Sequence, residues 1–326
     1  MFLTLALVFG LALTAAGQNP SPAPALPAMP APLFPDLPGS PQTASAATAE
    51  DPGVQALLAF RQSDVKFRLA DLMEVLRDRR HEGWVLAAYP DPKTGRPLIG
   101  AGFSLDLPER EHPQTDSLNP HPFVEPSSAQ LWAAAGLEPE RLQHILSDYD
   151  ARLSSWKMKR FRRKIGDLEP QITDEQANTL LRIAAVQAIV NAKAYCRNFD
   201  SLSASQQMAM SHLVYQMGVN LGEFTNFLAL VNQNEAPATH EDWRAVQQSL
   251  EQSQWARLYR VRAVSVIAML DPRYDDSPTV AERQVAAVLR PVRHRRRGAA
   301  LERASYRRHT RHGTRHHAGA RSRRKV

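Results

Sequence analysis

A chain of 326 residues with 43% hydrophobic content has room for one domain with appendages or two small domains, and enough apolar material for a real core. The formal charge of +7 is unevenly placed: Arg290–Val326 holds 13 Arg and one Lys against Glu302, a net +13, so the rest of the chain sums to −6. The pI of 9.7 therefore belongs to a tail and excludes a uniformly basic folded domain, while the lone Cys196 excludes an intrachain disulfide and leaves packing to hold the fold.

The N-terminal stretch MFLTLALVFGLALTAAG is apolar from Phe2 to about Ala16. That is shorter than the roughly 20 residues a membrane-spanning helix needs. Small residues at Thr14-Ala15-Ala16-Gly17 suit cleavage, so residues 1–17 are expected to be a secretory signal and the protein to be exported, to the periplasm or the cell exterior. No Lys or Arg precedes the apolar run, which leaves an uncleaved anchor as the alternative. Residues 18–52 are rich in Pro and Ala; proline fixes φ and lacks an N–H donor, so a semi-rigid extended linker is expected.

The folded domain is expected over 53–275. Ser63-Asp64 should cap a helix that carries Val65, Leu69, Leu72, Met73 and Leu76 at helical spacing and stops near Glu82, at Gly83. Tyr89 to Pro97 is dense in turn formers between two short strands, Val85–Tyr89 and Leu98–Phe103. After a proline-rich loop, Pro139-Glu140 opens a helix with Leu142, Ile145, Leu146, Tyr149 and Leu153 on one face. It runs into the basic cluster Trp156–Lys164, read either as a solvated helix end or as an anionic-polymer contact. Thr173 is the expected N-cap of the next helix, with Asp174 and Glu175 in its first turn. Helical patterns continue to about Leu270. A short helix at Val280–Leu289 precedes the Arg/His-rich tail, which lacks the apolar residues to fold; 276–326 is read as that disordered tail. The fold class is thus α+β, mostly α, with a small β-hairpin lobe beside a helical lobe.

Two acids stand out around the turn. Glycosidic hydrolysis needs an acid to protonate the leaving oxygen and a second carboxylate to activate water or stabilise developing positive charge. Glu82, placed at a helix end, should have its ionised form disfavoured by the helix dipole and so serve as the acid. Asp91, in a solvated turn, should stay ionised. Two carboxylates nine apart are by themselves an ordinary surface pattern. There is no glycine-rich phosphate loop. Tail histidines His294, His309, His312, His316 and His317 are read as part of a solvated tail, and Cys196 as a small core residue.

The segments His81-Glu82-Gly83, Tyr89-Pro90-Asp91 and Ile99-Gly100-Ala101-Gly102, with Tyr215-Gln216-Met217-Gly218 and Gly222-Glu223-Phe224-Thr225-Asn226, closely resemble the phage T4-type lysozymes, glycoside hydrolase family 24. The resemblance covers about 65–107 and 172–270. It implies a lysozyme-like fold, a muramidase cleaving the β-1,4 bond between N-acetylmuramic acid and N-acetylglucosamine, and an inverting mechanism. It further implies Glu82 and Asp91 as the catalytic pair and Arg262 as the partner of the glutamate. Tyr215, Gln216, Asn226 and Gly102 would line the sugar cleft. No cofactor or metal is implied. Peptidoglycan is the implied partner of a monomer, with anionic envelope polymers rather than a specific nucleic acid as partners of the tail.

The departures are specific. Leu98 stands where the family has a water-holding threonine. Phe103 and Ala184 stand where it has a histidine and its aspartate partner, a joint change that reads as apolar packing. The stretch 106–171 is an insertion that the family does not explain. A lytic transglycosylase, using the sugar's own hydroxyl as nucleophile, tolerates Leu98. A wall-binding module without turnover and a polyanion-binding tail protein are the non-enzymatic alternatives.

Overall fold

The computed structural model describes residues 51–153, 168–233 and 240–290. The expected signal, nearly all of the linker, the basic cluster 156–164 and the tail beyond 290 lie outside the described residues. Those residues form a mostly helical α+β fold with one three-stranded antiparallel sheet.

A short helix not read in the sequence opens the described residues. Helix α1 (Pro52–Leu58) uses Pro52 in its first turn, where a missing N–H costs nothing, and Asp51 Oδ1 caps the N–H groups of Gly53 and Val54. The expected helix from Ser63 is also displaced. Gln62–Asp64 forms a single 3₁₀ turn, and α2 (Leu69–Arg77) starts five residues later. Tertiary bonds hold the gap extended: Lys66 N–H donates to Gln207 Oε1 at 2.8 Å and Lys66 Nζ to the Leu202 carbonyl at 2.7 Å. Val65 and Phe67 are buried and Lys66 and Arg68 exposed, the period-2 alternation of an extended segment.

The sheet is a meander of β1 (Val85–Pro90), β2 (Pro97–Gly100) and β3 (Phe103–Ser104). The second expected strand divides in two because Gly100 and Gly102, at φ 63° and 80°, fold the chain back on itself. Phe103 is buried and β3 packs on α5 (Asp174–Tyr195), the helix that carries Ala184, itself partly buried against the core.

The α5 helix is the axis of the core. Thr173 caps it as expected, with Gln176 reciprocating, and buried residues occur on every side of it, the pattern of a helix enclosed by neighbours. Helix α6 (Ala204–Met217) packs along it; α7 (Thr225–Gln233), α8 (His240–Glu251), α9 (Gln254–Leu258) and α10 (Arg260–Met269) complete the bundle. A last helix, α11 (Pro278–Val288), buries Ala281 and Val285 against α10. The fold therefore continues past residue 275, into what was read as tail.

The stretch 106–171 is integral to the fold. It contributes α3 (Ser128–Ala134) and α4 (Pro139–Leu153), and buries Leu131, Trp132, Leu142, Ile145 and Tyr149 in the common core. Its loop also terminates α5: Asn119 Nδ2 donates to the carbonyls of Lys193 and Ala194 at 2.9 and 2.7 Å, satisfying acceptors that a helix end leaves orphaned. Trp132 is 0% exposed. Trp132→Ala is expected to cost about 3–5 kcal/mol of stability in urea unfolding; a loss below about 1 kcal/mol would show that this segment is peripheral.

Candidate functional site

Glu82 lies beyond a helix rather than at its end. Asp78 stops α2 by turning extended and taking the Arg80 N–H on its own side chain at 2.7 Å. The chain then wraps back, with Glu82 N–H donating to the Leu76 carbonyl and Gly83 at φ 82° leading into β1. The helix dipole is thus not what shifts this carboxyl. Burial raises the Glu82 pKa most, the charge of Asp91 raises it further, and Arg262 opposes both.

Arg262, in the first turn of α10, brings Nη1 to 2.9 Å from Glu82 Oε1, with side-chain exposures of 10% and 19%. The contact is an ion pair by distance, not an aligned hydrogen bond: Glu82 Oε1 has no hydrogen-bond partner among the described residues, and Arg262 Nη2 donates to the His81 carbonyl. On the other side of the carboxylate, a Cβ at Gly102 would sit 3.4 Å from Glu82 Oε2 on a backbone at φ 80°. A side chain there would strain the turn, and its Cβ would lie in contact with the acid. Tyr215, on α6, donates its hydroxyl to the neighbouring Ala101 carbonyl at 2.9 Å and so fixes the same turn. Burial and the Glu82 charge push the pKa of Tyr89 and of Tyr215 up, so both phenols stay neutral beside the acid.

Asp91 sits at the exit of β1. Its Oδ1 accepts from the N–H groups of Lys93 and Thr94, each at 2.7 Å, and its own N–H donates to the Arg96 carbonyl. This turn orients the carboxyl without a cation. The Thr94 hydroxyl accepts from the Arg96 N–H at 3.3 Å, a contact within the turn itself. Leu98, half-buried on β2, pairs in register with Tyr89.

The structure therefore gathers Glu82, Arg262, Gly102 and Tyr215 at one point, with Asp91 close enough for its charge to act on Glu82. Gln216 is engaged: its Oε1 accepts from Trp255 Nε1 at 3.1 Å, joining α6 to α9. Asn226 is exposed in the first turn of α7. A surface cavity of about 480 Å³, lined by residues including His112, Phe123 and Glu125, lies apart from this cluster and shares none of its residues.

Two neighbours were missed in the sequence. His81 and His212 meet edge to face with ring centroids 4.7 Å apart, beside Arg262. His212 is 0% exposed and neither of its ring nitrogens has a hydrogen-bond partner among the described residues. A polar residue on the buried face of α6 was the available signal. Burial and then Arg262 push the His81 pKa down to about 4; burial, His81 and Arg262 push that of His212 down.

Compared with known proteins, the chain matches no protein-family model and no curated protein.

The lowered histidine values set an acid limit. An unfolded histidine binds its proton near pH 6.5, whereas folded His81 does so near 4, so its contribution is complete above 6.5 and is lost as pH falls between the two. His81→Asn should flatten the decline of melting temperature across that window. Allowing for its partial exposure, the difference should be about 1–2 kcal/mol by pH 4. Parallel melting curves for variant and wild type from pH 7 to 4 would contradict this.

Proposed function

We propose that this protein is a glycosidase of lysozyme-like fold that cleaves the β-1,4 bond between N-acetylmuramic acid and N-acetylglucosamine in peptidoglycan. The observation that carries the reading is the buried Glu82, held by Arg262 from a distant helix and faced by Gly102, within electrostatic reach of Asp91. Burial that raises its pKa suits Glu82 to hold a proton for the leaving oxygen. Asp91, oriented by two backbone N–H groups, suits the role of base or charge stabiliser on the opposite face of the sugar. Neither role calls for a metal or cofactor. Gln216 and Asn226 would contact sugars, whereas the Tyr215 hydroxyl supports the Gly100–Gly102 turn.

Export rests on the N-terminal apolar run, and adhesion to anionic envelope polymers on the +13 tail; a monomer suffices for both.

One observation favours a second reading. Leu98, on β2, has no hydroxyl to hold an attacking water beside Asp91, and the Thr94 hydroxyl already accepts from the Arg96 N–H of its own turn. Lytic transglycosylase chemistry, in which the muramic C6 hydroxyl attacks and an anhydro sugar forms, needs no such water.

Glu82→Gln is expected to lower turnover of purified peptidoglycan by about 10²-fold or more while the protein stays folded at the assay temperature, with a lower melting temperature because Arg262 loses its acid. Full activity in the variant would remove Glu82 from the mechanism. Mass spectrometry of the products separates the two readings, since reducing ends mark hydrolysis and anhydro-muramyl ends mark transglycosylation. If hydrolysis is limited by water placement, Leu98→Thr should raise the reducing-end product several-fold; an unchanged rate in an active enzyme would assign water placement to another group.

A further inference from the structure

Lys93 follows Asp91 by two positions in the β1–β2 turn, yet its ammonium lies on the helical side of the site. It hydrogen-bonds the Tyr259 hydroxyl and stands 4.7 Å from the centroid of the Tyr259 ring. Tyr259 joins α9 to α10, and one helical turn later Arg262 meets Glu82. The Arg262 guanidinium is itself 5.7 Å from the Tyr259 ring. A closed ring results. The chain runs from Glu82 along β1 to Asp91 and on to Lys93. The Lys93–Tyr259 contact crosses to the helices, and Arg262 returns to Glu82. Lys93 is two positions from Asp91, and Tyr259 is one helical turn from Arg262, the partner of Glu82.

No carboxylate pairs with Lys93 among the described residues, so no strong partner fixes its position. Its contact is an exposed cation–π interaction with a hydroxyl bond, of a kind that opens readily. Lifting Lys93 uncovers the Tyr259 ring, which is flanked by Leu258 and Val261 at 55% and 64% exposure. Uncovered, these side chains form an apolar strip suited to the C–H face of a pyranose.

We infer that Lys93 and Tyr259 form a latch across the space between Glu82 and Asp91, which a glycan polymer must open and a short fragment need not. The pair thereby sets the preference of the site for chain length. This rests on the glycosidase reading for the identity of the occupant. Lys93 and Tyr259 act by admitting the chain and take no part in proton transfer.

Three variants test it: Lys93→Ala, Tyr259→Phe, and Lys93→Cys with Tyr259→Cys closed by a short bis-methanethiosulfonate that reductant reverses. Cys196 is buried and does not compete for the reagent. Opening the latch should raise kcat/KM on intact peptidoglycan by about two- to fivefold, the range set by an exposed cation–π contact. On short soluble muropeptides the change should stay under about twofold. The cross-linked protein should lose polymer cleavage and regain it on reduction. Equal rates on polymer before and after cross-linking would overturn the latch, as would an equal gain on polymer and short fragments. A wild type that cleaves neither substrate would fail the glycosidase reading. The latch is then read by cross-linking rate: saturating long soluble glycan strands should slow closure while short muropeptides leave it unchanged, and a rate unchanged by the long strands would overturn it independently of turnover.

Discussion

The contact between Arg262 and Glu82 joins the last third of the domain to the residue that enters the sheet, and much of the remaining architecture serves to hold its two ends. Arg262 is buried in the first turn of α10, a helix packed against α6, α8 and α11. Glu82 is placed by the wrap that follows Asp78 and by the Gly100–Gly102 turn, which Tyr215 secures from α6. An arginine so enclosed without an acid would leave a buried charge uncompensated, and a glutamate so enclosed without a cation would be driven to neutrality. Each therefore sets the state of the other.

Asp91 is held by different means. Its turn is supported from behind by 106–171: the Tyr149 hydroxyl donates to the Gly95 carbonyl, Arg96 faces Asp106 at 3.4 Å, and Arg141 donates to the Gln171 carbonyl beside β1. Gln171 in turn accepts the Ala88 N–H at 2.8 Å and donates its own N–H to the Leu86 carbonyl at 2.7 Å. A short three-stranded sheet has little stability alone, so a turn that holds the Asp91 carboxyl in one orientation needs such external support. What reads in sequence as an unexplained insertion is physically the buttress of one half of the site.

Legibility in the sequence followed the range of the forces involved. The Thr173 cap, the apolar face of α4 and the turn at Tyr89–Pro97 depend on neighbours within a few residues, and all three are present as read. The start of α2 was missed because Lys66 is held extended by Gln207 and Leu202, partners more than a hundred positions away. The end of α2 was missed because Asp78 competes with the helix through its own side chain, a local signal that Gly83 overshadowed. At the site, Glu82, Asp91 and Arg262 were named through resemblance; nothing in their spacing ties residue 262 to residue 82. His81 and His212 escaped notice because each alone looks like an ordinary core or surface histidine, and only their contact distinguishes them.

The histidine pair bears on the balance at Glu82. Arg262 orients the carboxyl but favours its ionised form, which would work against the acid role proposed for Glu82. Burial and the charge of Asp91 push the other way. A further cation near Glu82 would shift that balance towards the carboxylate. His81 and His212 adjoin Arg262, and enclosure together with the guanidinium keeps both rings from taking a proton near neutral pH. The same arginine that aligns the acid thus adds to burial in holding positive charge off the two imidazoles beside it. The cost is borne by ring nitrogens without partners, each an unsatisfied buried group worth about 1–3 kcal/mol. Apolar side chains of similar shape would remove that cost. Under the proposed reading, neutral imidazoles fill the space behind Arg262 without adding a formal charge to the field that Glu82 experiences.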